Sequence, residues 1–168
     1  MKIVVIGASR GVGLEVAEQA LQAGHTVTAF VRTPSRFTIQ HPDLTVFQGD
    51  SMDAAAVEKV IAGQDAVIST LGPTRPPVPG MMETSAKNIV AAMKKQGVRR
   101  LVSTTGAGIR QPEDKPKLAD YLIGAPLNLL AKDVVLDSAA NVKTIQDSDL
   151  DWTAVRFPRL MGGPHTGK

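Results

Sequence analysis

Glycines at positions 7, 11 and 13 follow a short apolar run, in the stretch Gly7-Ala8-Ser9-Arg10-Gly11-Val12-Gly13. Gly-x-x-x-Gly-x-Gly between a strand and a helix is spacing that suits a diphosphate. Gly7 permits a tight strand-to-helix turn, Gly11 lets a pyrophosphate approach the backbone, and Gly13 allows close packing of helix on sheet. The unpaired N–H groups and positive dipole end of the helix then face the anion, and Ser9 adds a hydroxyl donor. A bare turn also uses glycine, but here the pattern sits in the strand–turn–helix context that phosphate chemistry requires. No Gly-Lys-Ser/Thr follows, so this is not a Walker loop.

The second strand decides which nucleotide fits. A site for NAD usually ends that strand on Asp or Glu, which accepts from the ribose 2′-hydroxyl. This chain has Val31-Arg32-Thr33-Pro34-Ser35-Arg36 instead. An acid repels a 2′-phosphate, whereas a guanidinium grips it with paired hydrogen bonds. Arg32, Arg36 and the loop residue Arg10 therefore point to NADP, with NADPH preferred over NADH, the alternative being that Arg32 and Arg36 are solvated surface charges. Further candidates lie at strand C-termini, where an open α/β sheet binds its ligand. Gly49-Asp50-Ser51 follows the third strand, Thr70-Leu71-Gly72 the fourth, Thr104-Thr105-Gly106 the fifth and Phe157-Pro158-Arg159 the sixth. Asp50 suits an adenine amino group and a helix-capping turn equally. Thr105 suits a place near the nicotinamide and a turn hydroxyl equally.

These positions need elements to hold them. Lys2–Ile6 reads as a strand buried on both faces. Leu14, Ala17 and Leu21, widened by Val16 and Ala20, mark a helix that Gly24 stops. Strands follow at Thr26–Val31 and Leu44–Gln48. Asp53 then caps a helix carrying Val57, Val60 and Ile61 and ended by Gly63. Asp65–Thr70 is a fourth strand, and a proline-rich loop with Pro73, Pro76, Pro77 and Pro79 leads to a helix marked by Ala86, Ile89, Val90 and Met93. Gly97 closes it. Arg100–Thr104 is a fifth strand, residues 106–126 are loop-like, a helix runs from about Asp133 to Asp147, and Trp152–Arg156 is a sixth strand. Such alternation implies an α/β fold, a Rossmann-like doubly wound parallel sheet of order 3-2-1-4-5-6 in three α/β/α layers. One domain over residues 1–168 is the expectation.

Composition narrows the function classes. The 168 residues are 43% hydrophobic and 21% charged, with a mean hydropathy of zero, which excludes a disordered or collagen-like chain. No apolar run approaches the ~20 residues that span a membrane. Cysteine is absent, so thiol catalysis and thiolate metal sites are excluded, and no other metal site is expected. Absent cysteine also suits a reducing cytoplasm. The net charge of +3 comes from 19 basic and 16 acidic residues. With no basic strip and few aromatic rings, nucleic acid is not the expected partner. His25 and His41 fall in turns away from the strand C-termini and read as surface residues; His165 lies in the terminal segment. Met81 and Met82 read as core fillers rather than ligand contacts.

As an ordered set, KIVVIGASRGVG, AGHTVTAFVR followed by Arg36, FQGDSMD, AGQDAVISTLG, AKNIVAAMKKQGVRRLV and LDWTAVRFPRL resemble the atypical short-chain dehydrogenase/reductase group. Within that group they are most similar to the NmrA-like, NADPH-dependent flavin reductase (biliverdin-IX-beta reductase) type. The resemblance implies that Gly7, Ser9, Arg10, Val12 and Gly13 hold the diphosphate side, with Arg32 and Arg36 at the 2′-phosphate. It implies Asp50 and Ser51 at the adenine, Leu71 and Gly72 at the ribose, Thr105 and Gly106 beside the nicotinamide, and Phe157 and Pro158 closing over it. Thr105 is thus the one candidate catalytic side chain.

Three departures qualify the resemblance. Arg10 replaces the middle glycine of Gly-x-x-Gly-x-x-Gly, as in NADP-preferring members of the wider superfamily. The Tyr-x-x-x-Lys pair is missing, since Tyr121 is the only tyrosine and position 125 is Ala. That argues against alcohol–ketone chemistry with a tyrosine acid. Relatives of this type also usually continue past the Pro-Arg-Leu-x-x-Gly-Pro segment with another strand and helix.

The expected function is hydride transfer from NADPH to a flat small-molecule acceptor, a flavin or a quinone. This chemistry asks mainly for alignment and exclusion of side reactions. A non-catalytic NADP sensor is the alternative, and a nucleotide-sugar epimerase, which needs the tyrosine and a second domain, ranks last. The loops Pro73–Pro79 and Ile109–Pro126 are expected at the substrate rim. A monomer or homodimer is expected.

Overall fold

The structure is a computed structural model that describes residues 1–106, 109, 114, 132–157 and 160. Six strands alternate with helices along the chain: β1 (Lys2–Ile6), α1 (Val12–Gln22), β2 (Thr26–Val31), a 3-10 turn (Pro34–Arg36), β3 (Leu44–Gln48), α2 (Ala54–Ile61), β4 (Ala66–Ser69), α3 (Met81–Gln96), β5 (Arg100–Gly106), α4 (Lys132–Gln146) and β6 (Asp151–Phe157). Every strand pair is parallel, and the order is β3-β2-β1-β4-β5-β6. The expected Rossmann-like order is the observed one.

Burial explains why β1 reads as an unbroken apolar run. Successive side chains of a strand point to opposite faces. Ile3 and Val5 pack with Ala17 and Leu21 of α1. Val4 and Ile6 pack instead with Val57 of α2, Ile89 of α3 and Ile145 of α4. Both faces of the central strand are covered, as a parallel sheet demands. Asp53 caps α2 as expected, its Oδ1 accepting from the Ala55 and Ala56 N–H groups.

Three strands have bounds other than the expected ones, and α3 starts ahead of its first apolar marker. β5 extends to Gly106 and β6 runs from Asp151 to Phe157, because the two continue to pair through Thr105↔Arg156 and Gly106↔Phe157. Thr105, Gly106 and Phe157 therefore end strands rather than follow them. β4 stops at Ser69, and its flanks tie the sheet together: Asp65 Oδ2 accepts from the Lys2 N–H at 2.7 Å. α3 begins at Met81, one turn before the first apolar marker Ala86. Its buried Met81 and Met82 follow Gly80, whose φ is 70°.

Candidate nucleotide-binding site

The sheet order reverses between β1 and β4, and a cavity of about 330 Å³ opens at the C-terminal ends of β1 to β4. Such a switch point is where open α/β sheets bind ligands, because loops on its two sides run to opposite faces and leave a crevice. Gly7, Ser9, Arg10 and Gly11 form the loop wall. Arg32 comes from the end of β2, Asp50 and Ser51 from the end of β3, and Thr70, Leu71 and Gly72 from the end of β4. The tertiary fold thus brings together residues as far apart in sequence as Gly7 and Gly72.

The loop geometry is that of an anion cradle. Gly7 turns at φ 91° and donates its N–H to the Phe30 carbonyl at 3.2 Å. Gly11 sits at the N-cap of α1 with φ 54°, and no side chain caps this end. Nothing stands within 4 Å of where a Cβ on Gly11 would be, so this corner of the loop is open. Gly13 has the opposite surroundings: a Cβ there would strike the Gly7 carbonyl and the Thr70 side chain. Thr70 Oγ1 is itself tied to the Ile6 carbonyl at 3.0 Å. Gly13 is therefore a packing glycine, while Gly11 leaves room for a ligand.

Charge is arranged in the same sense. Arg10 and Arg32 are exposed at the cavity wall, and no ion pair among the described residues engages either. Their guanidinium donors are available to a phosphate. Arg36 is exposed on the 3-10 turn and does not line the cavity. Asp50 Oδ1 accepts from the Met52 N–H at 2.9 Å, which is turn-capping chemistry; its second oxygen remains for a donor on a ligand. Ser51 is buried and accepts from the Ser85 hydroxyl at 2.8 Å, and its carbonyl accepts from Asn88 Nδ2 at 3.0 Å. The diphosphate and 2′-phosphate of NADP fit this donor set.

Other expected site residues lie elsewhere. Val12 and Gly13 open α1 behind the loop. Thr105, Gly106 and Phe157 end β5 and β6, on the far side of β4 from the cavity, and none of them lines it. Pro158, Tyr121, Ala125, His165 and most of the loop Ile109–Pro126 lie outside the described residues. From that loop Asp114 reaches Arg156 of β6 with two bonds of 2.7 and 2.8 Å. This carboxylate raises the already high pKa of Arg156, against a smaller opposing effect of burial. Of the histidines, His41 is exposed and pairs with Asp43 at 3.8 Å, whereas His25 is half-buried.

Sequence reasoning expected the proline-rich loop at the substrate rim and singled out none of its polar residues. A second cavity of about 320 Å³ adjoins the first, between this loop and the start of α4, and the two share Pro73, Thr74 and Met81. Thr74 Oγ1 is buried without a hydrogen-bond partner among the described residues. Met81 is a core filler as expected and also a wall of both cavities. Its helix is positioned by Asp137 of α4, whose carboxylate accepts from the Met82 and Glu83 N–H groups at 3.0 and 2.9 Å.

Among the described residues no cluster of acidic or histidine side chains could hold a metal, and no helix is long and apolar enough to cross a membrane. A family model described as NAD(P)H-binding matches residues 7–168. The chain is 30% identical over 155 residues to the (4-alkanoyl-5-oxo-2,5-dihydrofuran-3-yl)methyl phosphate reductase of Streptomyces griseus, covering 92% of this chain and 46% of that protein. It spans about half or less of the length of the curated relatives it matches. Among solved structures it is similar to ChuY, an anaerobillin reductase from Escherichia coli O157:H7, with a TM-score of 0.78 at 22% identity over all of this chain and 78% of that one. A short-chain dehydrogenase/reductase from Veillonella parvula in complex with NADP has a TM-score of 0.76 at 18% identity, over 92% of this chain and 68% of the other. At these identities the structural likeness is one of fold.

Proposed function

The chain belongs to the NAD(P)H-binding family, and from that premise we propose that it is an NADPH-dependent reductase of the NmrA-like flavin-reductase type, acting on a flat small-molecule acceptor. The observation that carries the reading is the switch-point cavity, where a helix end without a side-chain cap, an open Gly11 and two arginines without carboxylate partners among the described residues meet. An acid at the end of β2 would favour NAD; Arg32 stands in that region instead. The named reductases among the relatives support the reaction class.

A reduced nicotinamide, when bound, supplies a hydride, and the acceptor takes its balancing proton from water. The residues of this chain have simpler tasks. Gly11 and the first turn of α1 bind the diphosphate, Arg10 and Arg32 bind the 2′-phosphate, and Thr70 to Gly72 hold the ribose side. Thr105 at the end of β5 is the candidate beside the nicotinamide. Alignment of donor and acceptor and exclusion of side reactions carry the rate.

The experiment follows NADPH absorbance with FMN, riboflavin and a quinone in turn. Turnover with at least one acceptor is the expected result. Tight NADPH binding with no turnover on any of them overturns the reductase reading and leaves the NADP sensor, which the missing Tyr-x-x-x-Lys pair favours.

A further inference from the structure

Ser85 is a polar residue at a place that packing alone would give to Ala. It lies one turn into α3 and is fully buried. A buried hydroxyl costs free energy unless it finds a partner. Ser85 Oγ donates to Ser51 Oγ at 2.8 Å, and its other neighbour, Met81 Sδ at 3.7 Å, is a weak acceptor. Three residues on, and so on the same side of the helix, Asn88 Nδ2 donates to the Ser51 carbonyl at 3.0 Å. α3 thus holds Ser51 by its side chain and by its backbone.

Ser51 and its neighbour Asp50 line the switch-point cavity, whereas Ser85 and Asn88 do not. Asp50 Oδ1 accepts from the Met52 N–H at 2.9 Å, and the Asp50 carbonyl accepts from the Asp53 N–H at 3.0 Å. These bonds lie within the turn and give it its shape; the two from α3 tie it to a helix. That helix is itself held near its start, where Asp137 and Asn141 of α4 bind the backbone of Met82 and Glu83. A site residue tied to packed helices keeps its geometry better than one carried by a loop alone.

We propose that Ser85 and Asn88 are positioning residues for base selectivity: by fixing Ser51 they fix the adjacent Asp50 carboxylate, whose second oxygen accepts from the exocyclic amine of a bound adenine. The inference rests on the nucleotide reading of this cavity. Hypoxanthine carries a carbonyl oxygen where adenine carries that amine. Against a carboxylate held in place, the amine gains a charge-assisted hydrogen bond, whereas the carbonyl oxygen meets a second acceptor. A carboxylate free to turn aside separates the two bases less. Ser85 and Asn88 touch no ligand and act only through Ser51.

Isothermal titration calorimetry with NADP+ and with nicotinamide hypoxanthine dinucleotide phosphate tests this. The unaltered chain is expected to bind NADP+ about tenfold more tightly than the hypoxanthine analogue. Ser85→Ala should weaken NADP+ about fivefold and the analogue less than twofold, so that the ratio narrows. Asn88→Ala should narrow it in the same way, and it decides the matter should Ser85→Ala not fold. In a Ser51→Ala background the further change Ser85→Ala should leave both isotherms where they are, because the residue it acts through is gone. A merely structural Ser85 would weaken both nucleotides alike and would do so in either background. The inference is overturned by that result, by a ratio that neither variant changes, or by an unaltered chain that does not separate the two nucleotides. A chain that takes up NADP+ and gives one of these results loses only the positioning role. A chain that takes up neither nucleotide loses the nucleotide reading, and the positioning role with it.

Discussion

Arg32 and Gly13 show two ways in which a single residue is legible. Arg32 stands exposed at the cavity wall with no ion pair among the described residues, so its loss should cost little in folding. A charge-assisted grip on a 2′-phosphate is worth about tenfold or more in affinity. Arg32→Ala should therefore weaken NADPH about tenfold and NADH less than twofold, measured by fluorescence titration; an equal loss for both would make Arg32 structural. Gly13 was readable because only a residue without Cβ fits against the Gly7 carbonyl, and the glycine spacing announces that contact. Thr74 was not readable. Its hydroxyl is buried with no hydrogen-bond partner among the described residues, and a missing partner leaves no trace in a sequence.

At the scale of elements, α3 depends on α4. Gly80 cannot cap its own helix, having no side chain, and Asp137 takes over from 55 and 54 residues away. One turn further on, Asn141 Nδ2 donates to the Met82 carbonyl at 2.8 Å. Asp137 and Asn141 share a face at i, i+4 and grip both polar groups of the first turn of α3. Asp137→Ala should cost about 1–2 kcal/mol in a urea unfolding measurement, the usual worth of an N-cap, and Asp137→Asn less than half of that. An unchanged midpoint would mean that water replaces the cap. The dependence also explains why periodicity does not show the start of α3: the first apolar stripe residue is Ala86, but the remote cap allows the helix to begin at Met81. β5 and β6 outran their apolar runs for a related reason, since the polar Thr105 and Arg156 are paired by their neighbours' backbones.

Taken whole, the molecule places its glycine loop, its cationic strand end and its proline loop around one reversal of strand order. A ligand that binds only this assembled state stabilises it by mass action. NADPH at about a hundred times its dissociation constant should add about 2.7 kcal/mol to the unfolding free energy, and NADH at the same concentration clearly less. Denaturant curves at fixed nucleotide concentration measure both; no shift with either nucleotide would remove the cavity as a nucleotide site.

The sequence by itself determined the six strands, their alternation with helices, the doubly wound order and the glycine turn between β1 and α1. These rest on local rules: apolar period, caps within a few residues, and glycine where φ or close packing requires it. Only the tertiary structure decided that Thr105, Gly106 and Phe157 end strands away from the main cavity, that Asp137 caps a distant helix, and that a second, less cationic cavity shares Thr74 with the first. Each of these is a contact between segments far apart in the chain. Such contacts follow from packing, which no local pattern of residues encodes.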